Sequence, residues 1–151
     1  EIDFLKLYLK LEELRFKDKI EFNFQANDLI SEYDVMVPPL LIQPIVENAF
    51  KHGLLHKEIG GKLDLIFQQI DDDTIHCIIE DNGIGRENAK KFAKWKPKEY
   101  KSSGVQTVQE RIELINQEHE QTIIQFKITD LMDSANNPAG TRVEFWFKSL
   151  I

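Results

Sequence analysis

The apolar pattern predicts a two-layer α/β sandwich: a mixed, mostly antiparallel sheet with its helices on one face. Three observations lead there. Stretches with apolar residues at helical spacing alternate with stretches of period-two alternation. Two pairs of the alternating stretches, 62–70 with 74–81 and 122–129 with 141–148, follow one another across turn-rich links, as antiparallel neighbours do. The chain has 151 residues, 42% hydrophobic and 30% charged, enough for one domain with a buried core.

The elements follow in order. Residues 2–16 (IDFLKLYLKLEELRF) hold no Gly or Pro and read as a helix. Phe4, Leu5, Leu7, Tyr8, Leu9, Leu11 and Leu14 wrap most of its circumference, so it expects burial on several sides, or an exposed patch where a partner is missing. Residues 20–26 (IEFNFQA) alternate as a half-buried strand. After Pro38-Pro39, residues 40–53 (LLIQPIVENAFKHG) turn helical, with an apolar stripe opposite Gln43, Glu47, Asn48, Lys51 and His52. Pro44 sits most easily in a first turn, which places the regular start near it, and Gly53 is the stop. Strands 62–70 and 74–81 form a hairpin around Asp71, Asp72 and Asp73. Residues 86–103, with Pro97 and little periodicity, read as a mobile loop holding one helical turn. Residues 104–118 return to helix, with Val105, Val108, Ile112 and Ile115 on one face. Strands 122–129 and 141–148 close the chain around a turn-rich loop, 133–140.

Composition narrows the function classes. A net charge of −7 argues against nucleic acid as the main partner. A single cysteine, Cys77, excludes an intramolecular disulfide or a multi-cysteine zinc site. No apolar run is long enough to cross a bilayer, no secretory pattern opens the sequence and no Asn-x-Ser/Thr acceptor occurs, which fits a cytosolic location. The start at Glu1 rather than Met reads as a piece of something longer. Charge is uneven: Arg86, Lys90, Lys91, Lys94, Lys96, Lys98 and Lys101 face only Glu87 and Glu99 in the same segment. That segment is either a solvated loop or a clamp for an anion.

Three weak signals for chemistry remain. Strand alternation in 74–81 puts Ile75, Cys77, Ile79 and Asp81 on one face, so a carboxylate points the same way as the apolar set. An unpaired buried carboxylate is costly. Asp81 is either a turn-forming residue of Asp-Asn-Gly or an acceptor for a ligand's amino group, with Gly83 and Gly85 letting backbone approach that ligand. Asn48 and Lys51, three apart on a helix, suit a hard cation and a phosphate respectively, although a polar stripe more often just meets solvent. Ser102-Ser103-Gly104 opens a helix, where free N–H groups receive anions. No Walker A loop is present, because Lys62 is followed by Leu63 and His56 stands at the first glycine position. His52, His56, His76 and His119 show no metal-ligand spacing.

Taken in order, these stretches resemble the N, G1 and G2 boxes of the GHKL (Bergerat-fold) ATP-binding domains. PPLLIQPIVENAFKHG is similar to the N box of LytS-type sensor histidine kinases, EDNGIG to their G1 box, SSGVQTVQERI to their G2 stretch and GTRVEFWF to their closing strand. YLKLEELRFKDKIEF resembles the segment that joins their dimerisation helices to the ATPase domain. The resemblance implies a Bergerat ATPase fold over 20–151, with 1–19 the end of a dimerisation or linker helix.

The same resemblance implies roles. Asn48 would hold Mg2+, Lys51 and His52 would lie at the nucleotide, Asp81 would accept from the adenine amino group, and Gly83 and Gly85 would surround the base. Ser103, Gly104 and Val105 would cradle the phosphates, Thr141 would support Asp81 through water, and 86–103 would be the lid over the polyphosphate. Glu47 would act on the acceptor histidine, which lies upstream of this segment. Implied too are a homodimeric parent anchored in the inner membrane with this domain cytoplasmic, a phosphoacceptor domain and a response regulator as partners, and no nucleic acid. Ser102 and Thr107 depart from the G2 pattern. Pro44 stands where hydrolysing relatives carry a base, which fits phosphoryl transfer rather than hydrolysis. The alternatives are a mechanical GHKL ATPase, an anti-sigma-type serine kinase and a non-catalytic nucleotide-binding scaffold.

Overall fold

The structure, a computed structural model, describes residues 2–16, 19–26, 37–57, 60–93 and 104–149. Among them five strands form one sheet: β1 (Ile20–Ala26), β2 (Gly61–Asp71), β3 (Thr74–Asp81), β4 (Ile124–Met132) and β5 (Pro138–Lys148), in the order β1-β2-β3-β5-β4. The pairs β2–β3, β3–β5 and β4–β5 are antiparallel. β1 pairs with β2 in parallel. That one parallel pair follows from the helical crossover between them, because parallel neighbours need a connection of about a dozen residues or more. The mixed, mostly antiparallel sheet is therefore as expected.

Alternation decides which face is covered. Leu63, Leu65 and Phe67 of β2, Ile75, Cys77 and Ile79 of β3, and Val143, Phe145 and Phe147 of β5 are all buried. Against them pack α1 (Ile2–Arg15) through Leu5 and Leu9, α2 (Ile42–Asn48) through Ile42, Ile45 and Val46, and α4 (Gly104–Glu118) through Val108 and Ile112. The other face carries polar pairs instead. Asn23 donates to Asp64, His76 bonds Gln68 and Glu144 while stacking on Trp146, and Arg142 pairs with Glu80.

Several expected bounds shift. The helix placed over 40–53 begins at Ile42, two residues before Pro44, which occupies the first turn where its missing N–H is no loss. It then widens into a π-helical turn, Ala49–Leu54, in which Leu55 N–H reaches back to Phe50 O. The segment read as a mobile loop with one helical turn opens instead as α3 (Arg86–Ala93), two full turns long; residues 94–103 lie outside the described residues. The loop 133–140 shrinks to a tight hairpin. Asp133 accepts from the N–H groups of Ala135 and Asn137 through its side chain, so β5 starts at Pro138 rather than 141. Helix 104–118 and the hairpin turning at Asp72-Asp73 match the sequence reading.

The first helix is two-sided. Leu5 is fully buried, whereas Phe4, Leu7, Leu11 and Leu14 are each more than half exposed. Of Phe4, Leu7, Tyr8 and Leu11, the residues expected to contribute an exposed patch, Tyr8 is partly covered and the other three are exposed. Leu5→Ala is expected to destabilise the chain by about 2–5 kcal/mol. The double change Leu7→Lys, Leu11→Lys should stay within about 0.5 kcal/mol per site. Urea titration of both variants checks this, and a Leu7→Lys, Leu11→Lys protein that unfolds would show that the outer face is also structural.

Candidate functional site

Register across the sheet builds the floor of the site. Asp81 of β3 is opposite Thr141 of β5, which is opposite Asp130 of β4; one step along, Ile79, Val143 and Ile128 line up in the same way. Directly opposed residues of antiparallel strands project to the same face. The helix-covered face thus carries a polar row beside an apolar row. Above this floor lies a cavity of about 240 Å³. Ile45, Asn48, Ala49, His52 and Gly53 form one wall, Arg86, Ala89 and Lys90 of α3 a second, and Val105 of α4 closes it. An apolar slot with a few convergent polar groups is the usual make-up of a small-molecule site.

Asp81 is the polar group at the bottom, only 4% exposed. Its Oδ1 accepts from Gly83 N–H at 2.9 Å, so the turn chemistry read from Asp-Asn-Gly is real and coexists with a carboxylate lining the cavity. Two glycines make that position possible. A Cβ on Gly83 would stand 2.5 Å from the backbone of Gly53, and one on Gly53 would stand 2.8 Å from Asp81 Oδ1. The π-helical turn and the loop after β3 are in backbone contact, with room for no side chain between them. Burial pushes Asp81 up from 3.8 to about 6, and nearby Glu80 adds to this. The Gly83 N–H, Lys57 and the Thr141 backbone pull the other way.

The other sequence-derived residues fall as follows. Asn48, His52, Gly85, Val105 and Thr141 all line the cavity. Gly85 has φ +81° and turns the chain against Pro138 before α3 begins. Gly104 is the first residue of α4, and a Cβ there would lie 2.9 Å from Asn48 Nδ2. The close approach brings the start of α4 onto the polar stripe of α2. Ser103 lies outside the described residues. Glu47 and Lys51 are not part of the cavity wall: Glu47 accepts from Gln43 Nε2 at 2.9 Å and stands 3.9 Å from the largely exposed Lys51 ammonium. Sequence reading missed the apolar floor and Ala89. It noted Arg86 and Lys90 only as charges. Arg86 forms a two-pronged pair with Asp130, Nε to Oδ1 and Nη2 to Oδ2, both 2.7 Å. Only the strand register could have announced that pair.

No protein-family model matches the chain. In sequence it is 31% identical over 143 residues to YwpD of Bacillus subtilis (strain 168), covering 95% of this chain and 46% of that protein. It is 34% identical over 85 residues to the sensor histidine kinase/phosphatase LytS of Staphylococcus aureus, covering 56% of this chain and 14% of LytS. The chain thus spans about half the length of the first relative and about a seventh of the second. In structure it matches the mycobacterial sensor histidine kinase MprB with a TM-score of 0.58 at 17% identity, over 97% of this chain and 93% of that one. It matches the catalytic domain of histidine kinase ThkA at 0.56 and 15% identity, over 95% and 87%. This is the fold of a histidine kinase catalytic domain. In this chain the cavity lies between α2 with its π-helical turn and the helices α3 and α4, on the polar row that carries Asp81.

A stability test isolates the buried carboxylate. Because the folded pKa lies above the unfolded value, the favourable neutral form is fully present below about pH 3.8 and is lost as pH rises through about 6. At pH 7 the ionised group costs about 3 kcal/mol. Asp81→Asn keeps the shape and an oxygen for Gly83 N–H but carries no charge. It should therefore stabilise the ligand-free chain at pH 7, by up to that amount, and by almost nothing at pH 3.5. Denaturant titrations at the two pH values check this, and an equal effect at both would remove burial of charge as the cause.

Proposed function

We propose that this chain is the ATP-binding catalytic domain of a sensor histidine kinase, supplying the γ-phosphate of ATP to a histidine outside the chain. One observation carries the reading: a buried carboxylate stands at the floor of a base-sized apolar cavity, held there by glycine backbone. A flat heterocycle with an exocyclic amino group satisfies both features, since its ring buries against Ile79, Val143 and Ile128 and its N–H donates to Asp81. Thr141, directly opposite Asp81 on the next strand, supports that acceptor. Pro44 in the first turn of α2 leaves no side-chain base there, in keeping with transfer rather than hydrolysis.

The polar end of the ligand belongs where α2 and α4 meet. Asn48 lines the cavity beside Gly104 at the start of α4, and its amide oxygen is a suitable ligand for Mg2+. When bound, the metal would neutralise charge on the β- and γ-phosphates. The N-terminus of α4, with Ser103, Gly104 and Val105, would receive the phosphates. His52 borders the same cavity. Lys51 would reach the phosphates from its exposed position, and Glu47, beside it, would orient the acceptor histidine. Residues 86–103 serve as the lid, with Arg86 and Lys90 in the wall. Residues 1–19 would continue from dimerisation helices, which gives the exposed row of α1 its partner in a homodimeric, membrane-anchored parent with the domain on the cytoplasmic side. A response regulator would take the phosphoryl group onward.

Calorimetry with ADP and Mg2+ should show binding in the micromolar range or weaker, since association and side-chain ordering at the site cost free energy. Asp81→Asn should weaken it by about thirtyfold or more, because a charge-assisted acceptor is lost and an amide donor faces the ligand's own N–H. Wild-type affinity should also fall as pH drops below about 6, where Asp81 takes up its proton. Unchanged binding by Asp81→Asn would reduce Asp81 to a turn residue. Incubated alone with labelled ATP, the chain should acquire no phosphohistidine. Label on His52 would overturn the assignment of the acceptor to another part of the protein.

A further inference from the structure

The polar row on the sheet holds a second carboxylate that the proposed chemistry does not use. Asp130 lies opposite Thr141, on the far side from Asp81, so the two aspartates share a face about 10 Å apart across two strand spacings. Asp130 does not line the cavity. Its partner does: both carboxylate oxygens are taken by Arg86, the first residue of α3, whose side chain is part of the wall. Arg86 follows Gly85, whose positive φ lets the chain turn against Pro138, and α3 then presents Ala89 and Lys90 to the same cavity. The direction of α3 is thus set at its root by one glycine turn and one ion pair. A bidentate guanidinium–carboxylate pair fixes orientation as well as distance.

We propose that Asp130 is a positioning residue for nucleotide binding: by clamping Arg86 it holds the lid helix α3 as the wall opposite Asp81. This rests on the reading of the cavity as a nucleotide site and deepens it. Asp130 belongs to a strand that the sequence boxes do not include, and it acts through Arg86 without touching the ligand. Hydrogen bonding by Arg86, then attraction to Arg86 and Lys90, holds the Asp130 carboxyl below the usual carboxylate range, so the clamp stays closed over the pH range in which Asp81 titrates. Because the clamp shapes the wall around the base, its loss should affect adenosine and ADP alike.

The test is a double-mutant cycle on the chain with Asp130→Asn, Arg86→Gln and the pair of changes together, using adenosine and ADP with Mg2+ as ligands. Asp130→Asn should weaken both ligands by about fivefold, the scale of a partly exposed ion pair. In the Arg86→Gln background it should add nothing. Amide exchange in α3 should quicken while that of β3 and β5 stays as in the wild type, which separates a loosened helix from a failing fold. Additive effects, a loss confined to ADP, or wild-type affinity in Asp130→Asn would each overturn the role of Asp130. Failure of the wild-type chain to bind either ligand would overturn the nucleotide reading itself.

Discussion

Everything around the cavity depends on one contact, the backbone-to-backbone approach of Gly53 and Gly83 beneath Asp81. It ties the end of the helix carrying Asn48 to the loop that follows β3, and it leaves the aspartate in a slot that no side chain can enter from either segment. The π-helical widening of Ala49–Leu54 belongs to this contact, since the widened turn is where Gly53 meets the sheet. The cost is a carboxylate under apolar walls with its proton affinity raised. The molecule carries an electrostatic tension at its centre, one that a hydrogen-bond donor placed against the carboxylate would relieve.

Much of this was legible in the sequence because two periods are hard to mistake. Period-two alternation in 74–81 placed Asp81 on the covered face, and burial of Ile75, Cys77 and Ile79 around it agrees. Helical spacing in 40–53 separated Ile42, Ile45 and Val46 from Glu47, Asn48 and Lys51, and the former are in the core. The run 104–118, with Val108 and Ile112 at the interface, has bounds that match because Gly104 and the turn after Glu118 punctuate both ends.

What was hidden has physical reasons. Helix α3 is short, and although Ala89, Phe92 and Ala93 of RENAKKFA are helically spaced, three apolar positions over two turns are too few to set it apart from a charged loop. A β-strand pairing in parallel carries no local signature; β1 finds β2 only through the crossover. A π-helical turn looks like ordinary helix in composition. The Arg86–Asp130 pair spans 44 positions and depends on which residue of β4 faces Thr141, which only the register decides. Ser103 falls among residues outside those described, while its neighbour Gly104 sits against Asn48, a contact that spacing in the sequence does not announce.

The polar row shows how environment, rather than residue type, assigns roles. Asp81 and Asp130 occupy equivalent places on either side of Thr141, on one face of one sheet. At the partly exposed edge Asp130 meets a guanidinium, stays charged and is spent on geometry. Two strands inward Asp81 meets backbone N–H groups and apolar side chains, gains proton affinity and is left with capacity for a ligand. An acceptor that must discriminate between ligands has to be buried and incompletely satisfied, because in water the wrong partner costs little. A clamp that must hold a helix in every state has to be satisfied before the ligand arrives. Read as a nucleotide site, the sheet would supply both by running one row of residues from its core to its edge.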